Sequence, residues 1–199
     1  MVEINKSLMD KALKEKKSEK IFMVALMAIV SVMLVVVILH TFVFFNIQVK
    51  GPSMEPTMYT DDVLIANRCK KATYGSIVII EGEKTNGDWL IKRVVAMEGD
   101  TVKIEDGYVY VKYKGKSDFT KLTETYVKEQ GVTEAHDWIE KTLADGEIFY
   151  LGDNRLHSSD SRDENFLTCD ESQIIGVIED WSFALKGITK KLQKLFGWL

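Results

Sequence analysis

Proline is almost missing from this 199-residue chain. Both copies, Pro52 and Pro56, fall in one stretch, Gly51–Pro52–Ser53–Met54–Glu55–Pro56–Thr57. Each fixes its own φ near −65° and biases its predecessor towards extended geometry, so Ser53 is held on a stiff turn. Cysteine is as scarce, with only Cys69 and Cys169 and no CxxC pair. Without cysteine and histidine at ligand spacing no zinc site is expected, and no other metal or cofactor either. The two cysteines leave a disulfide open if the domain lies in an oxidising compartment, and two separate small buried residues are the favoured reading. Histidine is limited to His40, His136 and His157. Between residues 46 and 180 bases are outnumbered, sixteen against 26 acids. That balance argues against nucleic acid, which calls for a basic surface.

What is present begins with a long apolar run. Ile21–Phe45 holds no formally charged residue, and its length exceeds the ~20 residues that cross a hydrocarbon core. A cleaved signal sequence would have a shorter apolar region and a small-residue cut site, which Phe42–Val43–Phe44–Phe45 does not offer. The run therefore predicts a transmembrane helix over 21–45 behind a charged tail, 1–20. Six lysines precede it, which puts the N-terminus in the cytoplasm and the remainder outside. His40 falls inside this span.

Beyond Ser53 the pattern shortens to strands. Val63–Ala66, Ser76–Ile80, Trp89–Val95, Glu147–Leu151 and Ile174–Glu179 are apolar runs of strand length. Thr101–Ile104 and Tyr108–Val111 bracket Glu105–Asp106–Gly107, a hairpin signal. Residues 113–146 are polar and weakly patterned, and are expected to form a small insertion or cap with short helices near Leu122–Lys128 and Ala135–Leu143. The region 46–180 thus predicts a mainly β extracytoplasmic domain, a barrel or folded sheets. Residues 181–199 carry four lysines and no acid, and Trp181, Leu185, Ile188, Leu192, Leu195 and Leu199 recur at helical spacing. A basic amphipathic helix results, open to two readings: lying on a phospholipid interface, or packing on its own domain.

Ser53 becomes a nucleophile only beside a general base. His157 is the histidine placed to serve, with Asp153 or Asp160 completing a Ser–His–Asp triad. Lys92 competes. Alternation puts Leu90, Lys92 and Val94 on one face of a strand, so a lysine stands where a hydrophobe is expected. Its bland reading is a side chain snorkelling to solvent or pairing with an acid. The loop Gly152–Asp153–Asn154–Arg155–Leu156–His157–Ser158–Ser159–Asp160–Ser161–Arg162 is dense in small hydroxyls, acids and arginines. Its spacing matches no EF-hand.

Taken together, Gly51-x-Ser53-Met54-x-Pro56-Thr57, Lys92–Arg93–Val94 and the 152–162 loop, in that order behind an amino-terminal anchor, resemble the bacterial type I signal peptidases. Tyr74–Val78 and Gly99–Val102 are similar to two further segments of that family. The resemblance covers residues 21 to about 180. It implies a membrane-bound serine endopeptidase that removes signal peptides from secretory preproteins with a Ser/Lys dyad, cutting after small residues at −1 and −3. Carried over by motif, Ser53 is the nucleophile and Lys92 the base. Ser158 orients the lysine amine, and Asp160 and Arg162 form a supporting ion pair. Gly51, Met54, Pro56, Gly152, Asp153 and Asn154 are motif or substrate-groove candidates. Some relatives carry a serine where this chain has Gly51, so the oxyanion would rest more on backbone N–H groups. Glu98 stands where a proline is usual and Ser76 where an aspartate is. The alternatives are a peptidase specialised for particular exported proteins and a membrane-tethered β module with a degenerate site.

Overall fold

The structure, a computed structural model, describes residues 2–81, 89–134, 140–163, 166 and 168–196. It divides into two compact units, Met1–Val43 and Phe44–Leu199. The first is helix α1, Val2–Phe42. Its Leu13–Phe42 part reaches a mean hydropathy of 3.2 over its most apolar window. Beyond Lys20 it carries no charged residue and no polar face to turn to water, and a helix satisfies its own backbone groups, which is what a bilayer requires. The Ser31 and Thr41 hydroxyls donate to the carbonyls of Met27 and Val37, each at 2.8 Å, so neither carries an unpaired donor into hydrocarbon. The helix stops short of the expected Phe45. From Phe44 the side chains alternate, and Phe45 and Ile47 enter a core that a continued helix would deny them.

The strands of the second unit are β1 (Phe44–Gln48), β2 (Val63–Asn67), β3 (Ile77–Glu81), β4 (Trp89–Ala96), β5 (Thr101–Glu105) and β6 (Tyr108–Lys112). They continue with β7 (Thr120–Lys121), β8 (Glu140–Thr142), β9 (Glu147–Leu151), β10 (Cys169–Asp170) and β11 (Ile174–Ile178), and helix α2 (Ser182–Phe196) follows. Seven strands form one sheet in the order β1-β2-β11-β3-β4-β9-β10, and four form another, β7-β6-β5-β8. Folded sheets, rather than a closed barrel, are the outcome.

The run Ile77–Val78–Ile79–Ile80 is apolar throughout because β3 is covered on both faces. Ile77 and Ile79 pack with Phe45, Met54 and Leu64, while Val78 and Ile80 pack with Val94, Tyr150 and Val177. A third cluster joins the two sheets through Ala96, Val102, Val111 and Phe149. The β5–β6 turn places Asp106 and Gly107 at φ 50° and 79°, the left-handed pair that a tight hairpin needs. A Cβ on Gly107 would lie 2.1 Å from the Gly131 carbonyl oxygen. The motif segments around residues 74 and 100 meet as the Tyr74 hydroxyl donates to buried Asp100 at 2.9 Å. Glu98 pairs with Lys114, and the Ser76 hydroxyl accepts from Thr73 N–H.

The insertion departs from expectation. No helix forms over 122–128, where Thr123, Thr125 and Val127 disfavour helix through their branched Cβ. Leu122 instead packs on the third cluster, and Glu124 and Val127 turn inward. Residues 135–139, with His136, lie outside the described residues, and the rest of that expected helix holds strand β8. Both cysteines are free thiols; Cys169 is buried, but Cys69 is exposed rather than buried.

Candidate active site

Ser53 sits on a tight loop between β1 and β2 that is pinned from below and from the side. Met54 and Met58 plunge into the core as anchors, and Met58 N–H closes a turn onto the Met54 carbonyl at 2.9 Å. Asn154 grips the loop twice, its N–H donating to the Ser53 carbonyl at 3.0 Å and its Nδ2 to the Pro52 carbonyl at 3.1 Å. Contact is close enough that a Cβ on Gly152 would meet the Ser53 oxygen at 2.5 Å and Ser158 Oγ at 2.2 Å. Only glycine fits there. Gly51 holds φ 81°, with open space where a Cβ would project.

Lys92 lies mid-strand in β4, paired with Val78 of β3 on the face that also carries Leu90 and Val94. It is 3 % exposed. Its Nζ donates to Ser53 Oγ and to the Ile91 carbonyl, both at 3.0 Å. Burial pushes its pKa down to about 8 against the opposing pull of the Asp160 and Asp153 carboxylates. An amine so poised is neutral in a useful fraction near neutral pH and stands within proton-transfer distance of a hydroxyl.

Around this pair the carboxylates are committed elsewhere. Asp153 takes a two-pronged bond from Arg93, at 2.8 and 2.6 Å, and a third from the Thr57 hydroxyl at 2.5 Å. The Arg93 guanidinium lies 3.9 Å over the Tyr126 ring. Asp160 takes a similar fork from Arg162, at 2.7 and 3.0 Å, and accepts from Gly152 N–H at 2.9 Å. Arg155 is buried against Glu124 and Thr133 of the insertion. His157 pairs with Asn154 Oδ1 at 3.4 Å. Ser158 Oγ is buried, with no hydrogen-bond partner among the described residues, so its hydroxyl does not touch Lys92 here.

A cleft of about 550 Å³ opens over Ser53 and Lys92, walled by Ile47–Lys50 on one side and Trp89–Ile91 on the other. Both walls are strand edges: β1 is the end of its sheet, and β4 pairs with β9 only from Arg93 onward. His157, Ser159 and Gly51 reach the cleft, and Met54 contributes to its lining. Pro56, Gly152, Asp153 and Asn154 are outside the lining and belong to the scaffold that carries the loop. Sequence reasoning did not find Glu124 or Tyr126, and it had Thr57 in the motif without its Asp153 partner. None of these contacts carries a local signal, because each is defined by a distant arginine or aspartate.

Residues 22–181 match the family model described as signal peptidase, peptidase S26. Signal peptidase I P of Bacillus subtilis subsp. natto is 30% identical over 187 residues, 88% of this chain and 96% of that protein. Signal peptidase I T of Bacillus subtilis strain 168 is 33% identical over 162 residues, 75% of this chain and 79% of that protein. A crystal structure of a signal peptidase I from Enterococcus faecalis V583 overlaps 55% of this chain and 98% of its own, at 26% identity and a TM-score of 0.42.

Proposed function

Because the chain belongs to the signal peptidase family of serine peptidases, peptidase S26, we propose that it removes signal peptides from preproteins with Ser53 as nucleophile and Lys92 as general base. The observation that carries this reading is the 3.0 Å contact between Lys92 Nζ and Ser53 Oγ in a buried setting that lowers the lysine pKa to about 8. At the ordinary value near 10.4 only about 0.04% of a lysine is neutral at pH 7; near 8 the fraction is roughly 10%. A triad finds less support, since Asp153 and Asp160 are each occupied by an arginine and His157 by Asn154.

Lys92 takes the Ser53 proton as the oxygen attacks the scissile carbonyl, and the tetrahedral intermediate forms. The lysine then passes that proton to the departing amine, leaving an acyl-enzyme. Neutral again, it deprotonates the water that hydrolyses the ester and frees Ser53. Backbone N–H groups, that of Ser53 among them, meet the oxyanion. The substrate lies extended along the unpaired edges of β1 and β4, with small side chains at −1 and −3. Asp160 and Arg162 brace the 152–162 loop internally, through Gly152 N–H and the Arg155 and Ser158 carbonyls, and Asn154 holds that loop to the Ser53 loop. Purified protein incubated in detergent with a preprotein should yield one cut, mapped by mass spectrometry to the small-residue end of the signal peptide. An intact preprotein, or cuts scattered along the mature part, would defeat the proposal.

The same reading places residues 1–20 in the cytoplasm, the apolar part of α1 up to Phe42 in the membrane, and the chain from Phe44 onward outside, because six lysines precede the apolar run. Protease added to intact spheroplasts should then digest 46–199. Protection until the membrane is opened would invert the topology.

A further inference from the structure

Helix α2 turns its less apolar face inward. Phe183 joins the core, Lys186 Nζ donates to Asp62 at 2.7 Å and to the Thr57 carbonyl at 3.0 Å, and Thr189 donates to the Val63 carbonyl at 2.7 Å. These residues recur every third position and account for how the helix is held. The apolar stripe is left outward: Ile188, Leu192 and Leu195 are 57%, 42% and 74% exposed. Lys190, Lys191 and Lys194 are exposed beside it. Leu199, the last member of the expected stripe, lies outside the described residues. The interface and packing alternatives thus describe two faces of one helix.

We propose that this outward stripe docks on an anionic phospholipid surface as a second membrane contact besides α1. Three observations choose lipid as the occupant. An apolar row flanked by lysines, with no acid between residues 181 and 199, complements an acyl boundary beneath anionic headgroups. Trp181, at the start of α2, meets Phe44 edge-on with ring centroids 6.0 Å apart. Phe44 is two residues along the chain from the end of the apolar helix at Phe42, a span of under ~8 Å by covalent geometry. The stripe is also separate from the chemistry: the family match ends at residue 181, one position before α2.

The test uses the full chain, with Cys69→Ser to remove the exposed thiol, reconstituted into phosphatidylcholine vesicles with or without about a third phosphatidylglycerol. An environment-sensitive fluorophore is attached at Ile188→Cys or Leu192→Cys and, as a control, at Asp118→Cys on an exposed turn; thermal midpoints check each fold. Lipids with brominated acyl chains should quench the α2 probes in the anionic vesicles and leave the Asp118 probe bright. Each lysine contributes roughly five-fold to partitioning, so joint reversal of Lys190, Lys191 and Lys194 to glutamate should shift the docked-to-free ratio at least about 100-fold and abolish the quenching. Equal quenching at α2 and at the control overturns the proposal. Probe burial that vanishes when the protein is diluted in lipid overturns it too, and assigns the stripe to a second copy of the chain.

Discussion

Lys92→Ala and Lys92→Arg proteins should each lose roughly ten-thousand-fold or more in cleavage rate, in line with removal of the base in other serine hydrolases, while His157→Ala keeps most of its activity. Arginine retains the charge but cannot give up its proton in a protein, so it tests for a base and not for a cation. The wild-type rate should climb about tenfold per pH unit and level off above a pKa of about 8. A midpoint near 6.5, the ordinary histidine value, together with an active Lys92→Ala protein and a dead, folded His157→Ala protein, would replace the dyad by a triad. The same lysine costs stability. Its pKa falls from 10.5 to about 8 on folding, so between those values the unfolded chain holds more protons and stability rises with pH. Below pH 8 both states are protonated and the full cost, about 3 kcal/mol, is felt. Lys92→Met should therefore be more stable than wild type at pH 7 by about that amount, a lead that fades as pH approaches 10.5. Equal thermal midpoints at pH 7 would show that the amine is not desolvated.

Glu124→Ala should destabilise the protein by about 3–5 kcal/mol, because it strands a buried guanidinium. Arg155 is 3 % exposed and Glu124 7 %, and Arg155 also donates to the Gly152 carbonyl at 3.1 Å and to Thr133 Oγ1 at 2.7 Å. Adding Arg155→Met to Glu124→Ala should restore most of the loss, since an apolar pair of similar volume often equals a buried ion pair. A single-mutant loss below ~1 kcal/mol, the range of exposed pairs, would mean that water reaches the guanidinium. The insertion is thus tied into the loop beneath Ser53, and its polar composition is partly that of a buried contact.

Much of this was open to reading from residues alone, for a physical reason. Lys92 could be singled out because strand alternation is local: Leu90 and Val94 mark its face without knowledge of what packs there. The hairpin at Asp106–Gly107 was equally legible, since positive φ is a property of two adjacent residues. Glu124 was not. Nothing in Thr123–Glu124–Thr125 distinguishes a solvated acid from one that neutralises Arg155, thirty-one positions on. Which face of α2 turns inward was hidden likewise, because the apolar stripe is the face that sequence marks for packing, whereas Lys186 and Thr189 find their partners on β2 and the loop preceding it. Ser158 is different again. Its place beside Gly152 follows the motif, but the direction of a hydroxyl is set by side-chain rotation, on which sequence is silent.

The position of β11 has a consequence for synthesis. Residues 174–178 form the strand that separates β2 from β3, so the large sheet exists as two unjoined pieces until nearly the whole chain has been translated. The two-strand piece β1–β2 flanks the Ser53 loop, and β3–β4 carries Lys92. Long-range pairing of this kind is slow, because loop closure must precede the contacts that reward it. A nascent chain therefore carries Ser53 beside one piece and Lys92 on the other, and the sheet that spans both is continuous only once β11 has paired with β2 and β3. Completion of this sheet therefore waits on residues 174–178, late in the order of synthesis.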